Sequence, residues 1–228
     1  MSLYILPIIG LIATILAGCG RVEHKAENQI AEALQEKIGP ARSYDVNICG
    51  SPLKLIKGKM ERLDIVGQDV QLKNGFKLAL LKVSVYGLVF DTDTKEIRRA
   101  DKTAYSATIS QSELTRYLTK TYPDIPDLKV GLRDGLIDVS ARPTVAGVGA
   151  TVKAEADLQA KDGHKLVLDL KKVSAAGIPA PGFAREYIET KINPVLDSRD
   201  LGFNATVCSV KLARGSITIS GNLDLVPM

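Results

Sequence analysis

Residues 60–91 read MERLDIVGQDVQLKNGFKLALLKVSVYGLVFD. Two extended runs, Met60–Leu72 and Phe76–Asp91, flank Lys73-Asn74-Gly75. Asn-Gly between two β-rich runs is a strong hairpin signal, because the tight turns that match strand twist need positive φ. The second run is apolar on both alternating sets. Phe76, Leu78, Leu80, Tyr86, Leu88 and Phe90 form one set; Ala79, Leu81, Val83, Val85 and Val89 form the other. A strand with one wet face alternates cleanly. This strand is therefore expected to be covered on both faces by apolar material.

Upstream, Tyr44–Cys49 reads as a short strand with Tyr44, Val46 and Ile48 facing one way. A turn at Gly50-Ser51-Pro52 leads into Leu53–Lys59, a basic amphipathic run of Leu53, Leu55 and Ile56 with Lys54, Lys57 and Lys59. Before these, Val22, Ala26, Ile30, Ala33, Leu34 and Ile38 recur at spacings of three and four, which predicts a helix over Arg21–Ile38 stopped by Gly39-Pro40. Downstream, Thr92–Thr103 is a charged connection with Lys95, Arg98, Arg99 and Lys102, read as a solvated loop or a loop touching headgroups. Ala104–Ser110 returns as a strand. Ser110-Gln111-Ser112-Glu113 is a capping box opening a helix to about Thr121, with Leu114, Tyr117 and Leu118 on one face.

Three hairpins follow: Val130–Ala141 turning at Asp134-Gly135, Val148–Leu170 at Asp162-Gly163, and Asn204–Leu225 at Arg214-Gly215. The middle one alternates, with Val148, Ala150, Val152, Ala154, Ala156, Leu158 and Ala160 inward. A helix over Pro181–Leu196 separates the last two, with Ala184, Tyr187, Ile188, Ile192, Val195 and Leu196 as its apolar face. No Pro/Gly/Ser-rich linker interrupts the chain. Residues 19–228 read as one α+β domain of long, curved antiparallel sheet with an amphipathic helix and additional short helices.

At 228 residues and 45% hydrophobic content, a sizeable core is within reach. Aromatic residues are 5%, with no Trp, which argues against base-stacking nucleic-acid platforms. The net charge of +4 suits an anionic surface. No charge occurs in Met1–Gly20, and Leu3–Ala17 is almost wholly apolar. Leu16-Ala17-Gly18-Cys19 resembles the lipobox of bacterial lipoproteins, which implies a signal peptide over 1–18 and acylation of the Cys19 thiol, for example by palmitate. An uncleaved anchor and soluble secretion are the other two readings of this segment. All three place the rest of the chain outside the cytoplasm, and the lipoprotein reading anchors it to a membrane of the bacterial cell envelope. Cys49 and Cys208 then either bridge or stay as buried thiols.

The catalytic inventory is thin. His24 and His164 have no neighbouring cluster of metal-ligating residues in the sequence, so no metal or cofactor is expected. Ser51-Pro52-Leu53-Lys54 matches Ser-x-x-Lys, but the companion strings of those acyl-transfer enzymes are absent. Gly147-Val148-Gly149 lacks the third glycine and helix of a phosphate loop. What stands out is apolar surface, lining either a ligand cavity or a packed sandwich.

The ordered pieces of this chain resemble the LmeA-like phospholipid-binding family of bacterial envelope proteins. They are the export segment followed at once by the Glu27–Ile38 helix, Val46–Pro52, the apolar run ending in Gly58 and leading to Arg62-Leu63-Asp64-Ile65-Val66, Leu80–Phe90 with Gly87 inside it, Ala107–Leu114, Ile192-Asn193-Pro194-Val195-Leu196, and the closing Val210–Gly221 hairpin. The resemblance implies a tubular lipid-binding fold of the TULIP type, in which a curved sheet wraps a helix and leaves an apolar groove. It implies lipid binding without catalysis, with phospholipid or a glycolipid as ligand and an envelope enzyme as a partner; an envelope scaffold with a dry core and a protein partner is the alternative. Residues expected in the groove are Leu53, Ile56, Leu63, Ile65, Leu81, Val83, Val85, Tyr117, Leu118, Tyr187, Ile188 and Ile192. Lys54, Lys57 and Arg62, with Lys59 beside them, are expected at its mouth to hold a headgroup.

Overall fold

The computed structural model describes residues 22–73, 75–91, 97–142, 144–145, 148–149, 151–180, 182, 185–186, 189–190, 193–201 and 205–225. Cys19 with its apolar leader, and Tyr187, Ile188 and Ile192, lie outside the described residues. The elements run α1 (Val22–Lys37), β1 (Ser43–Cys49), α2 (Pro52–Ile56), β2 (Lys59–Gln71), β3 (Lys77–Phe90), β4 (Ile97–Arg99), β5 (Lys102–Ser110), α3 (Gln111–Thr121), β6 (Lys129–Arg133) and β7 (Leu136–Ala141). Then come β8 (Thr144–Val145), β9 (Val148–Gly149), β10 (Val152–Lys161), β11 (Lys165–Ala175), β12 (Ile178–Pro179), β13 (Leu196–Asp197), a 3-10 turn (Ser198–Leu201), β14 (Ala205–Ala213) and β15 (Ser216–Leu223). Two main sheets have the orders β1-β2-β3-β5-β15-β14, with β4 beside β3, and β12-β11-β10-β7-β6, with β13 beside β11. The class is α+β with long antiparallel strands, as the hairpin signals predicted.

Packing divides the chain into two compact units. The first takes the residues up to Ala107, Ser198–Thr206 and those from Ser220 on; the second takes Thr108–Asp197 and Val207–Ile219.

In the first unit the Lys73–Gly75 turn joins β2 to β3, with Gly75 at φ +82 and its N–H bonded to the Leu72 carbonyl at 2.8 Å. The doubly apolar run resolves differently from the expectation of two covered faces. Buried positions on β3 are even at Leu78, odd at Leu81 and Val85, and even again at Leu88 and Phe90. β2 changes parity in step: Met60, then Leu63 and Ile65, then Val70. Both changes fall where the ladder skips a pair, at Glu61 opposite Gly87 and at Asp69 opposite Ala79. Gly87 (φ +59) and Asp69 (φ +54) sit at these two points. A positive-φ residue in a strand turns the following side chains by one place. The run is apolar on both sets because it uses one set at a time.

Thr92–Thr103 is also more than a solvated loop. Ile97–Arg99 forms β4 against the end of β3, Ile97 is buried, and β5 begins at Lys102. Arg98 pairs with Asp91 at 2.8 Å and Arg99 with Asp101 at 2.5 Å.

In the second unit Ser110 caps α3, its hydroxyl accepting from the Glu113 N–H at 3.3 Å. The Glu113 carboxylate is held by Arg116 at 2.7 Å. The middle hairpin starts later than expected. β10 begins at Val152, while Val148–Gly149 pairs with Thr144–Val145. Gly149 interrupts the alternating run with no side chain to pack. Ala154, Ala156 and Leu158 are buried as predicted, but Ala160, next to the turn, is exposed.

β11 has a distinctive outer edge. Between its short partners β12 and β13, its outward backbone groups meet side chains. The Asn193 carboxamide accepts from the Leu168 N–H at 2.7 Å and donates to the Leu168 carbonyl at 2.9 Å. The Leu170 N–H donates to Glu189 at 3.3 Å, and the Leu170 carbonyl accepts from Arg185. These three residues are four apart, one helical face. The described residues from Gly182 to Thr190 are helical, but Val195 and Leu196 are not: the Val195 N–H donates to Leu166 and Leu196 pairs in β13. Pro194 disfavours helix at Asn193, which ends the expected Pro181–Leu196 helix early.

Candidate lipid-binding site

Cross-strand register assembles an apolar face in the first unit. Ile48 lies opposite Leu63 and Leu63 opposite Val85; Val46 lies opposite Ile65 and Ile65 opposite Val83; Tyr44 lies opposite Gly67 and Gly67 opposite Leu81. Residues opposite each other in neighbouring strands share a face. Five of the expected groove residues, Leu63, Ile65, Leu81, Val83 and Val85, therefore form one patch. Leu63, Ile65, Leu81 and Val85 are buried, and Val83 is half-buried. Val46, Ile48 and Tyr44 complete the patch; the alternation of Tyr44–Cys49 marked them, but their partner strand was not readable from it.

Helix α1 packs on β1 and buries Ile30, Ala33 and Leu34. The Tyr44 hydroxyl donates to the Gly39 carbonyl at 2.9 Å, and its ring leaves no room at Gly67, where a Cβ would stand 2.9 Å from it. Burial pushes the Tyr44 phenol from 10.0 up to about 12. The folded state thus holds this proton more tightly than the unfolded chain. The contribution is whole below pH 10 and is lost as pH rises through about 12. Denaturant midpoints measured at rising alkaline pH should fall across that window, and Tyr44→Phe should flatten the fall.

The other expected residues divide. Leu53 and Ile56, on α2, are 73% and 61% exposed, whereas Leu55 between them is 2% exposed. Tyr117 and Leu118 are half-buried on α3 in the second unit. Of the headgroup candidates, Lys54 pairs with Glu61 at 2.7 Å. Arg62 pairs with Asp64 at 2.7 Å and lies 5.2 Å over the Tyr86 ring. The Asp64 hydrogen bond and charge push the Arg62 guanidinium above its ordinary value. Lys57 and Lys59 are exposed and have no charged partner among the described residues. The lysine of the Ser-x-x-Lys string is thus held by a carboxylate, not turned to Ser51. Cys49 and Cys208 are exposed and form no disulfide. Among the described residues no cluster of three His, Cys, Asp or Glu side chains can hold a metal.

The second unit carries a cavity of about 920 Å³ on the polar face of its sheet. Lys129, Ser140, Lys153 and Ser174 are cross-strand neighbours in one row there. Lys172 pairs with Glu155 at 3.2 Å in the next row. The row joins two hairpins, β6–β7 and β10–β11, through the β7–β10 pairing, which no local motif announced.

The aliphatic rows of the β1–β3 face are mostly buried, and Lys54, Lys57 and Lys59 stand exposed on and beside α2. The family model described as LmeA-like phospholipid-binding matches residues 22–222. No curated protein and no solved structure matches the chain. The family match runs from the first described residue of α1 to the last but one of β15, and on that span the chain belongs to the LmeA-like phospholipid-binding family.

Proposed function

We propose that this protein is a membrane-tethered carrier or holder of phospholipid, or of a related glycolipid, in a bacterial cell envelope, and that it works without catalysis. The observation that supports the reading is the family match over residues 22–222. In this reading the acyl chains enter at the margin of the first unit's β1–β3 apolar face, where Val83 is half-buried. The headgroup is met by Lys54, Lys57 and Arg62. Cys19 carries the acyl anchor, and an envelope enzyme receives or supplies the lipid. Each methylene taken from water stabilises the complex by about 0.8 kcal/mol, so one acyl chain contributes on the order of 10 kcal/mol before ordering costs.

Native mass spectrometry of residues 20–228, purified without detergent, tests the reading. A stoichiometric phospholipid or glycolipid adduct, identified after denaturation, is the expected result. A bare mass that stays bare after incubation with liposomes would overturn it and favour a protein-binding scaffold.

A further inference from the structure

Leu53 and Ile56 are two of the three large hydrophobic residues exposed among the described residues; the third is Ile178. They stand three apart on α2, so they project to the same side of one turn. The turn is built to hold them out. Lys54 and Leu55 N–H groups bond the Ser51 carbonyl at 2.8 and 3.0 Å, and Lys57 and Gly58 N–H groups bond the Lys54 and Leu55 carbonyls at 3.0 and 2.9 Å. Gly58 closes the turn at φ +71, and its carbonyl accepts from the Phe90 N–H at 2.9 Å, tying the turn to the end of β3. Leu55 plugs inward against Gly50, at 3.5 Å from where a Cβ would stand. A turn this well anchored, with its two outer aliphatics in water, presents a fixed apolar point rather than a loose loop.

Its charge names the occupant. Lys54, Lys57 and Lys59 ring the point. Lys54 shares its charge with Glu61, while Lys57 and Lys59 have no acidic partner among the described residues. Aliphatic tips flanked by uncompensated lysines match the interface of an anionic bilayer, where the apolar side chains enter the acyl boundary and the ammonium groups stay at the phosphates. A protein groove would be expected to offer acids to Lys57 and Lys59; an anionic lipid surface offers phosphates over any orientation.

We infer that the Ser51–Lys59 turn is a membrane-docking point that inserts Leu53 and Ile56 into an anionic lipid surface. The inference deepens the lipid-carrier reading and rests on it for the purpose of docking, since a docked turn beside the apolar face of β2 and β3 shortens the path of a lipid out of the bilayer.

The chain contains no Trp, so Leu53→Trp places a single indole reporter at the point. The full chain carrying L53W is reconstituted into vesicles of phosphatidylcholine alone and of phosphatidylcholine with phosphatidylglycerol, with and without brominated acyl chains. Gln71→Trp, at an exposed position of β2, is the control. The expected result is a blue-shifted emission of L53W quenched by the brominated chains in anionic vesicles, with Q71W unaffected. Lys57→Glu with Lys59→Glu should weaken the quenching at least on the order of thirtyfold in apparent affinity for anionic lipid, since each lysine near such a surface is worth about fivefold. Raising salt from about 0.1 to about 1 M, which shortens the screening length from about 10 to about 3 Å, should act in the same direction. L53W emission that stays water-like in anionic vesicles overturns the inference. Equal quenching in L53W with and without the two lysine reversals overturns it as well, because docking on an anionic surface needs those charges. A quenched L53W together with a bare mass in the lipid-adduct experiment leaves docking standing and removes the carrier reading; an adduct with unquenched L53W does the reverse.

Discussion

Leu63→Ala should cost about 3 kcal/mol of folding stability, within a range of about 2–5, whereas Leu53→Ala should change it by no more than about 0.5. The two leucines lie ten residues apart and have the same chemistry. Leu63 is 1% exposed and lies between Ile48 and Val85 in one row of the β1–β3 face; Leu53 is 73% exposed. Removing the Leu63 side chain loses its transfer free energy and leaves a void that neighbouring strands, fixed by their ladders, can fill only in part. In a chain of this size that loss lowers the melting temperature by about 6–12 °C. Urea midpoints of the two variants measure the contrast. Leu63→Met, which keeps volume, should lose less than about 1.5 kcal/mol. Equal effects of Leu63→Ala and Leu53→Ala would show that the face is not a packed interior.

Gly39→Ala should be worse, with a loss on the order of 3 kcal/mol or more. Gly39 follows α1 at φ +146, a conformation that L side chains rarely adopt. A Cβ there would stand 1.9 Å from the Gln71 carbonyl oxygen and 3.0 Å from its carbon. Neither atom can move freely, because the Gln71 N–H is bonded to the Pro40 carbonyl at 2.8 Å and the Arg42 N–H to the Gln68 carbonyl at 2.9 Å. The helix end would have to lift from β2, and the Tyr44 bond to Gly39 would go with it. Gly135→Ala is the comparison. Gly135 has φ +76 but nothing within 4 Å of an added Cβ, so it should pay only the left-handed cost of about 1–2 kcal/mol. Thermal melts of the two variants separate steric clash from backbone strain; equal shifts would remove the clash as the cause.

The parts of this architecture that follow local rules were legible in the amino-acid order. Hairpin turns at Gly75, Gly135, Gly163 and Gly215 all take positive φ, and each was marked by its glycine. The helix face of Ile30, Ala33 and Leu34 followed from spacing alone. The parity changes at Gly87 and Asp69 were not legible, since an apolar residue on either set reads the same in one dimension. Only the skipped ladder pairs show which set is buried where. The five expected residues on the β1–β3 face alternate along their strands, which is a local signal, but their choice as a lipid face came from the family resemblance. Their division from Tyr117 and Leu118, in the second unit, depends on packing between distant segments. Lys54 and Arg62 looked like free cations although their carboxylates, Glu61 and Asp64, are near in sequence, because a turn and a strand pleat decide which nearby side chains meet.

The side-chain seal on β11 has a consequence for how copies of this chain meet. An open strand edge is a template for another strand, and pairing along it is the usual first step toward fibrils. Along the Leu168–Leu170 stretch the template is already occupied by a carboxamide, a carboxylate and a guanidinium. A second chain approaching there would have to displace three anchored polar groups, two of them charged, before forming its first backbone bond. The helix that follows β12 thereby acts as a guard against self-templating while adding no strand of its own.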